Sequence, residues 1–145
     1  MTDTRGRDGF ALLLSILAVV VVGALIIATH TAVRLEHDVA VAGVNRQRAF
    51  AASENALWSS IATWDPATSA LPPGGATSKV IRAGGDSATI TTVRLNNEFY
   101  WLVADGRSGD PQRVARRRTA INVAVVSDSA GTRVTPVRRS WSELH

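Results

Sequence analysis

The chain has 145 residues, carries a formal net charge of +4 and contains no cysteine. This length allows one small domain with an appended segment, and the lack of cysteine excludes disulfides and thiolate metal sites. Nearly all of the positive charge is arginine, because Lys79 is the only lysine. Such a balance permits contact with nucleic acid or anionic lipid but identifies neither.

An uncharged apolar stretch occupies residues 10–28, FALLLSILAVVVVGALIIA. It approaches the roughly 20 residues that a helix needs to cross a bilayer, and it exceeds the usual apolar region of a cleaved secretory signal. Arg5 and Arg7 precede the stretch together with Asp3 and Asp8, whereas Arg34 after it is answered by Glu36 and Asp38, which leaves a mild bias. We therefore predict a single-pass membrane helix with its N terminus in the cytoplasm and the rest of the chain beyond the membrane.

A second helical pattern follows without a break. Residues 32–64 contain no proline and one glycine, and their apolar positions recur at spacings of three, four and seven, which mark one helical face. We predict one continuous helix from about Phe10 to Trp64. Asp65-Pro66 ends it, because a residue before proline is driven out of the α region.

Beyond the helix the period changes to two, which is typical of strands. Residues 66–78 are rich in proline, glycine, serine and threonine and predict a loop. Asn96-Asn97-Glu98 predicts a hairpin turn between two of the strands. The predicted strands are a short one at 79–82 and longer ones at 87–95, 99–104, 119–126 and 132–138.

The fold class that we predict is therefore α+β: a long N-terminal helix packed on a small antiparallel sheet of three to five strands. Such a sheet has one apolar face that must be covered. The side chains predicted to cover it are Phe50, Leu57, Ile61 and Trp64. Tyr100 and Trp101 point to opposite sides of their strand, so we expect one in the core and the other partly exposed.

Two stretches resemble the type IV pilin superfamily. Arg7-Asp8-Gly9-Phe10-Ala11-Leu12-Leu13 looks like a prepilin leader, which a prepilin peptidase cuts after glycine before the new N-terminal phenylalanine is methylated. Gln47-Arg48-Ala49-Phe50-Ala51-Ala52-Ser53-Glu54-Asn55-Ala56-Leu57 is similar to the Q-A-x-x-A-A-E-A-G-L stretch of PilX-like minor pilins. The resemblance implies a pilin-like fold.

Two positions depart from the superfamily pattern. Asp8 stands where such leaders usually have a basic residue, and Leu14 stands where major pilins have a glutamate at the fifth mature position. That carboxylate pairs with the N-terminal amine of a neighbouring subunit, which Leu14 cannot do. Subunits without the acid resemble PilX-like minor pilins and the K-type pseudopilin of type II secretion. The latter usually has a larger head, so the PilX-like reading is favoured.

The resemblance implies a leader at 1–9 with cleavage between Gly9 and Phe10 and N-methylation of Phe10. A filament-core helix at 10–29 and an amphipathic helix at 30–64 then lead to a β head at 65–145. The implied partners are other pilins or pseudopilins, the prepilin peptidase, the inner-membrane assembly platform and the bilayer, with the head in the periplasm and then on the pilus. The residues expected to pack in the filament are Phe10, Leu13, Leu14, Ile16, Leu17, Val20 and Val21.

Residue types and spacings give no support for catalysis, a cofactor or a metal. His30 and His37 are seven residues apart on one helix face, and we interpret them as ordinary polar residues at the membrane surface rather than as metal ligands. No metalloprotease, P-loop or nucleophile-elbow motif occurs. An arginine group in the head is the remaining candidate, either as a solvated sheet face or as a basic patch for phosphates or an acidic partner subunit. Its members are Arg113, Arg116, Arg117, Arg118, Arg133, Arg138 and Arg139. An uncleaved membrane-anchored binding module, with DNA as a ligand, is thus the alternative to a filament subunit.

Overall fold

The computed structural model describes residues 5–129 and 131–144, with side chains from residue 10 onward. Helix α1 extends over Arg5–Ala62 and the short helix α2 over Pro66–Ser69. The strands are β1 (Ala76–Ala83), β2 (Asp86–Arg94), β3 (Phe99–Ser108), β4 (Ala115–Asp128), β5 (Gly131–Pro136) and β6 (Ser142–Leu144). The predicted α+β arrangement of a long helix packed on an antiparallel sheet is confirmed at this level.

Contacts divide the chain into two compact units, Met1–Val41 and Ala42–His145. The described part of the first unit is helical throughout. The second unit, which we call the head, contains the end of α1, helix α2 and all six strands.

The link between the two helices has more structure than the predicted loop. Asp65 adopts an extended conformation, and its Oδ1 accepts a hydrogen bond of 2.9 Å from the backbone N–H of Ala67. Asp65 is thus the N-cap of α2, and Pro66 takes the first helical position, where its missing N–H costs nothing. The same dipeptide that keeps α1 from continuing therefore begins α2, and α1 ends at Ala62 rather than at the predicted Trp64.

The sheet is an antiparallel meander with the order β1-β2-β3-β4-β5. Strand β6 returns to the same edge of β4 as β5, at residues 118–120, while β5 pairs with residues 123–128. Residues 137–141 bulge out between them, and Ser140 fastens this bulge by hydrogen bonds to the backbone N–H and carbonyl of Asn122, both 3.1 Å long.

The described residues form six strands where three to five were predicted. The predicted strand at 79–82 extends over 76–83, and the strand predicted at 119–126 extends over 115–128. Both extensions add polar residues that have weak strand propensity by themselves, and pairing with the neighbouring strand holds them extended. Strand β6 has three residues, too few for alternation to be visible in the sequence.

The core of the head lies between the last turns of α1 and one face of the sheet. Its largest fully buried side chains include Leu57 of the helix and Tyr100, Leu102 and Val123 of the sheet. Trp64 packs edge-on against Tyr100, with 5.2 Å between ring centroids. Tyr100 is 1% exposed and Trp101 is 39% exposed, which confirms that the two rings lie on opposite faces of β3.

The predicted cover residues are found at the core with different degrees of burial. Leu57 is buried, and Ile61 and Trp64 are half-buried against the cluster. Phe50 is half-buried and contacts Trp141 edge-on, with ring centroids 6.2 Å apart. The C-terminal segment therefore packs against the helix.

Candidate functional site

The apolar stretch of α1 is an uncovered surface. All of the predicted packing residues are exposed, from 49% for Val21 to 69% for Phe10. The side chains are exposed around the whole circumference of the helix, because every residue from 10 to 40 except Gly23 is exposed. It is the one helix in the described residues that is long and apolar enough to cross a membrane.

Ser15 within this stretch and two threonines just after it are hydrogen-bonded within the helix. The hydroxyl of Ser15 donates to the carbonyl of Leu12 at 2.8 Å, and that of Thr29 donates to the carbonyls one turn before it. Thr31 does the same to Ala28 at 2.8 Å. In hydrocarbon an unsatisfied polar group costs several kcal/mol, so these internal bonds remove the main obstacle to placing the stretch in an apolar medium.

The predicted leader at 1–9 falls partly outside the described residues, which begin at Arg5. The junction between Gly9 and Phe10 lies within α1. Leu14 is 57% exposed on the same helix. At this surface position the chain therefore presents an apolar side chain rather than a carboxylate.

The part of α1 that resembles PilX-like pilins packs on the sheet through small residues. Ala49, Ser53 and Ala56 are at most 1% exposed and lie three or four residues apart, on one helix face. They meet β3 at Gly106, where an added Cβ would overlap the carbonyl oxygen of Ala49 and lie 2.8 Å from the backbone N of Ser53. The alanine-rich pattern therefore lets the helix backbone approach the strand closely.

Arg94 is a structural arginine of the head. Its guanidinium lies 5.6 Å from the ring centroid of Tyr100 and donates hydrogen bonds to four backbone carbonyls in two loops. The accepting residues are Ser69, Leu71, Asn96 and Asn97. Five rigid donors suit an arginine to such a role, so its N–H donors are used to hold the loops.

The sheet has two faces, which we call the helix face, directed to α1, and the open face. Alternation along β4 divides the predicted arginine group. Arg117 lies on the helix face and forms an ion pair of 2.9 Å with Glu143 of β6. Arg116 and Arg118 lie on the open face, where Arg118 contacts Asp105 at 3.2 Å.

The other predicted arginines lie elsewhere. Arg113 belongs to the turn before β4, where its backbone N–H donates to Asp110. Arg133 pairs in register with Val126 near the opposite end of β4, eight positions and thus about 26 Å beyond Arg118. Arg138 and Arg139 lie in the bulge between β5 and β6, with Arg139 in the left-handed region at a φ of 61°.

Two arginines outside the predicted group join Arg116 and Arg118 on the open face. Strand register places Arg82 opposite Ser87, Ser87 opposite Arg107 and Arg107 opposite Arg116. The next row contains Asp105 and Arg118, and Asp105 also contacts Arg107 at 3.7 Å. We call the set Arg82, Arg107, Arg116 and Arg118 the arginine corner. Alternation within β1 and β3 shows which side of its own strand each arginine occupies. Only the pairing register shows that Arg82 and Arg107 lie on the same face as Arg116.

Comparison with protein-family models, with curated proteins and with solved structures gave no match to this chain. Its function must therefore be inferred from its own residues. Two surfaces stand out in the described part of the chain: the uncharged apolar stretch of α1 and the cationic arginine corner of the head.

Proposed function

We propose that this chain is a pilin-like structural subunit, a minor pilin that is held in the inner membrane by residues 10–29 and enters a type IV pilus through the same helix. The observation that carries the proposal is the double character of α1. Its first stretch exposes apolar side chains on all sides, and its last turns form part of the core of a small antiparallel head. One helix thus serves both as an anchor and as part of a folded domain.

The energetics support an apolar environment for the first stretch. Covering one valine, leucine or isoleucine side chain contributes about 1.5–3 kcal/mol, and residues 10–28 include twelve such residues. Leaving all of them in water would cost more than the stability of a typical small domain. A bilayer supplies the required cover first, and helices of neighbouring subunits supply it in a filament.

Leu14 supports the role of a minor rather than a major subunit. A carboxylate at this position would direct docking by pairing with a terminal amine, because an unpaired charge in an apolar core is costly. With leucine there, the packing is apolar and undirected. Such a helix packs against neighbouring helices through apolar contacts alone. The position of the subunit in the filament is then specified by contacts of the head.

To test the proposal, the N terminus of the mature protein is identified by mass spectrometry, with protein from cells with and without a prepilin peptidase. The expected result is a peptide that starts at methylated Phe10 only when the peptidase is present. A Gly9→Val variant is the matched control and is expected to retain its leader in both strains.

A second readout is the recovery of the protein with pili sheared from the cell surface. Co-purification of the processed wild type but not of Gly9→Val is expected. A chain that begins at Met1 or Thr2 in both strains would overturn the filament proposal and leave an uncleaved anchor.

A further inference from the structure

The open face of the head carries positive charge from three strands. Arg82, Arg107 and Arg116 lie in one row across β1, β3 and β4, and Arg118 lies in the adjacent row. All four are exposed; the side chain of Arg107 is 45% accessible and that of Arg118 is 55% accessible. Neighbouring strands are about 4.8 Å apart, so the four guanidinium groups share a small area.

This charge is only partly neutralised. In these two rows, from β1 to β4, Asp105 is the one carboxylate, and it contacts both Arg107 and Arg118. Arg116 stands directly opposite Arg107, an arrangement of like charges that destabilises a sheet. A bound anion would relieve this repulsion. Asp105 accepts a hydrogen bond of 3.2 Å from Arg118 and lies 3.7 Å from Arg107, so it orients the first of these guanidinium groups.

The same face exposes two aromatic rings. Trp101 is 39% exposed and Phe99 is 37% exposed, both on β3 and on the side away from the helix. Val103 and Val93, half-buried, flank Trp101 on this face. Arg107 lies six residues along β3 from Trp101, which corresponds to about 20 Å. One end of the open face is therefore cationic and the other is aromatic.

We propose that the open face binds single-stranded nucleic acid, with the arginine corner on its phosphates and Trp101 and Phe99 stacked on its bases. Arginine matches phosphate oxygens in a bidentate geometry, and sheet aromatics stack on unpaired bases of any sequence. The length of the face suits small single-strand sites, which cover about 4 to 16 nucleotides.

The geometry favours this ligand over other anions. Duplex DNA presents only base edges in its grooves, so its paired bases cannot stack on the two rings. An acidic peptide offers carboxylates to the arginines but no unpaired bases to stack on the rings. The surface lies on the head, so this inference does not depend on leader cleavage or filament entry.

The first test measures equilibrium binding of a fluorescein-labelled oligo-dT of about 12 nucleotides by fluorescence anisotropy. The full chain is used, in nanodiscs of uncharged lipid. Affinity is expected to fall with salt with a log–log slope near −3, since each of four phosphate contacts contributes about −0.7. The double variant Arg116→Gln, Arg118→Gln should reduce that slope to about half.

The matched control removes two exposed arginines from α1, Arg46→Gln with Arg48→Gln, and is expected to leave binding unchanged. Thermal melting verifies that each variant is folded. Should the β4 double variant fail to fold, Arg82→Gln on the edge strand provides the same test, with a slope reduced by about 0.7. Equal loss in the control and β4 variants would overturn the arginine corner as the site.

The second test concerns the rings. Trp101→Ala is expected to weaken oligo-dT binding by about tenfold or more, and Trp101→Phe, which preserves stacking, should restore most of the affinity. A duplex of equal length, poly-glutamate and phosphatidylglycerol vesicles serve as competitors and should displace oligo-dT poorly. Displacement by poly-glutamate or vesicles as efficient as by unlabelled oligo-dT, or unchanged affinity in Trp101→Ala, would overturn the proposal.

Discussion

The two parts of α1 are helical for different reasons. Residues 10–41 have no fully buried side chain, so their own sequence carries the helix without support from the core of the head. Residues 42–62 place Ala49, Ser53 and Leu57 in a core, so tertiary packing stabilises them. The comparison shows that one continuous helix can have a fully exposed apolar part and a part that is packed in a core. The following substitutions separate the two parts.

The largest effect is expected from charge in the apolar stretch. Val19→Asp combined with Val20→Asp should cost about 6 kcal/mol of insertion free energy, about 3 for each charge near the bilayer centre. Most of the chain should then leave the membrane fraction during carbonate extraction. The control places the same charges at exposed head positions, Val44→Asp and Asn55→Asp, and should remain membrane-bound. Equal extraction of the two variants would contradict a membrane role for residues 10–28.

The next effect belongs to the helix–sheet contact. Gly106→Ala should lower the free energy of unfolding of the head by about 3 kcal/mol or more, because a Cβ there overlaps the backbone of α1 at Ala49. Urea titration in detergent micelles, followed by tryptophan fluorescence, measures it. Gly85→Ala is the control, since an added Cβ meets nothing within 4 Å. A similar small change in both variants would mean that the close approach is absent.

A pair of leucine truncations compares the two parts of α1 directly. Leu57 is 1% exposed and Leu25 is 60% exposed. Leu57→Ala should reduce the free energy of unfolding by about 3 kcal/mol through the cavity it leaves, whereas Leu25→Ala should alter it by less than about 0.5 kcal/mol. The same urea titration applies. A loss at Leu25 as large as that at Leu57 would show that residues 10–41 are part of the folded core.

The smallest change in stability is expected from the serine hydroxyls that form the same hydrogen bond in both parts of α1. Ser15 and Ser53 both donate to the carbonyl three residues earlier, at 2.8 and 2.7 Å. Each replacement by alanine should change stability by less than about 0.5 kcal/mol, because the lost bond is local and alanine is the better helix former. Urea titration serves for Ser53→Ala and carbonate extraction for Ser15→Ala. A large loss for either variant would mean that its hydroxyl has a partner beyond its own helix.

The sequence was a good guide wherever the determining interactions are local. The α1 periodicity, the alternation of β2 and β3 and the turn at Asn96 could be read from neighbouring residues. The same reading missed α2, because Asp65 and Pro66 can end one helix and begin another with the same dihedral preferences. It also missed β6, because three residues contain too little alternation and depend on hydrogen bonds from β4.

For the candidate site the division is similar. The apolar stretch could be recognised completely in the sequence, since its length and composition alone meet those of a membrane-spanning helix. The arginine group was not: its consecutive members at 116–118 alternate between the two faces, and Arg82 and Arg107 were absent from the predicted group. A run of like residues in a strand is divided by the pleat, and which distant residues join each half depends on register.

The sequence by itself thus determined the long apolar helix, its continuation into the head and the α+β class, because hydrophobic length and period act over a few residues. Only the tertiary structure decided that Gly106 accepts the helix backbone, that Arg94 holds two loops and that four arginines and two rings share an open face. Those features arise from strand pairing and packing between segments distant in the chain. Their geometry is set by the whole sheet rather than by any segment of it.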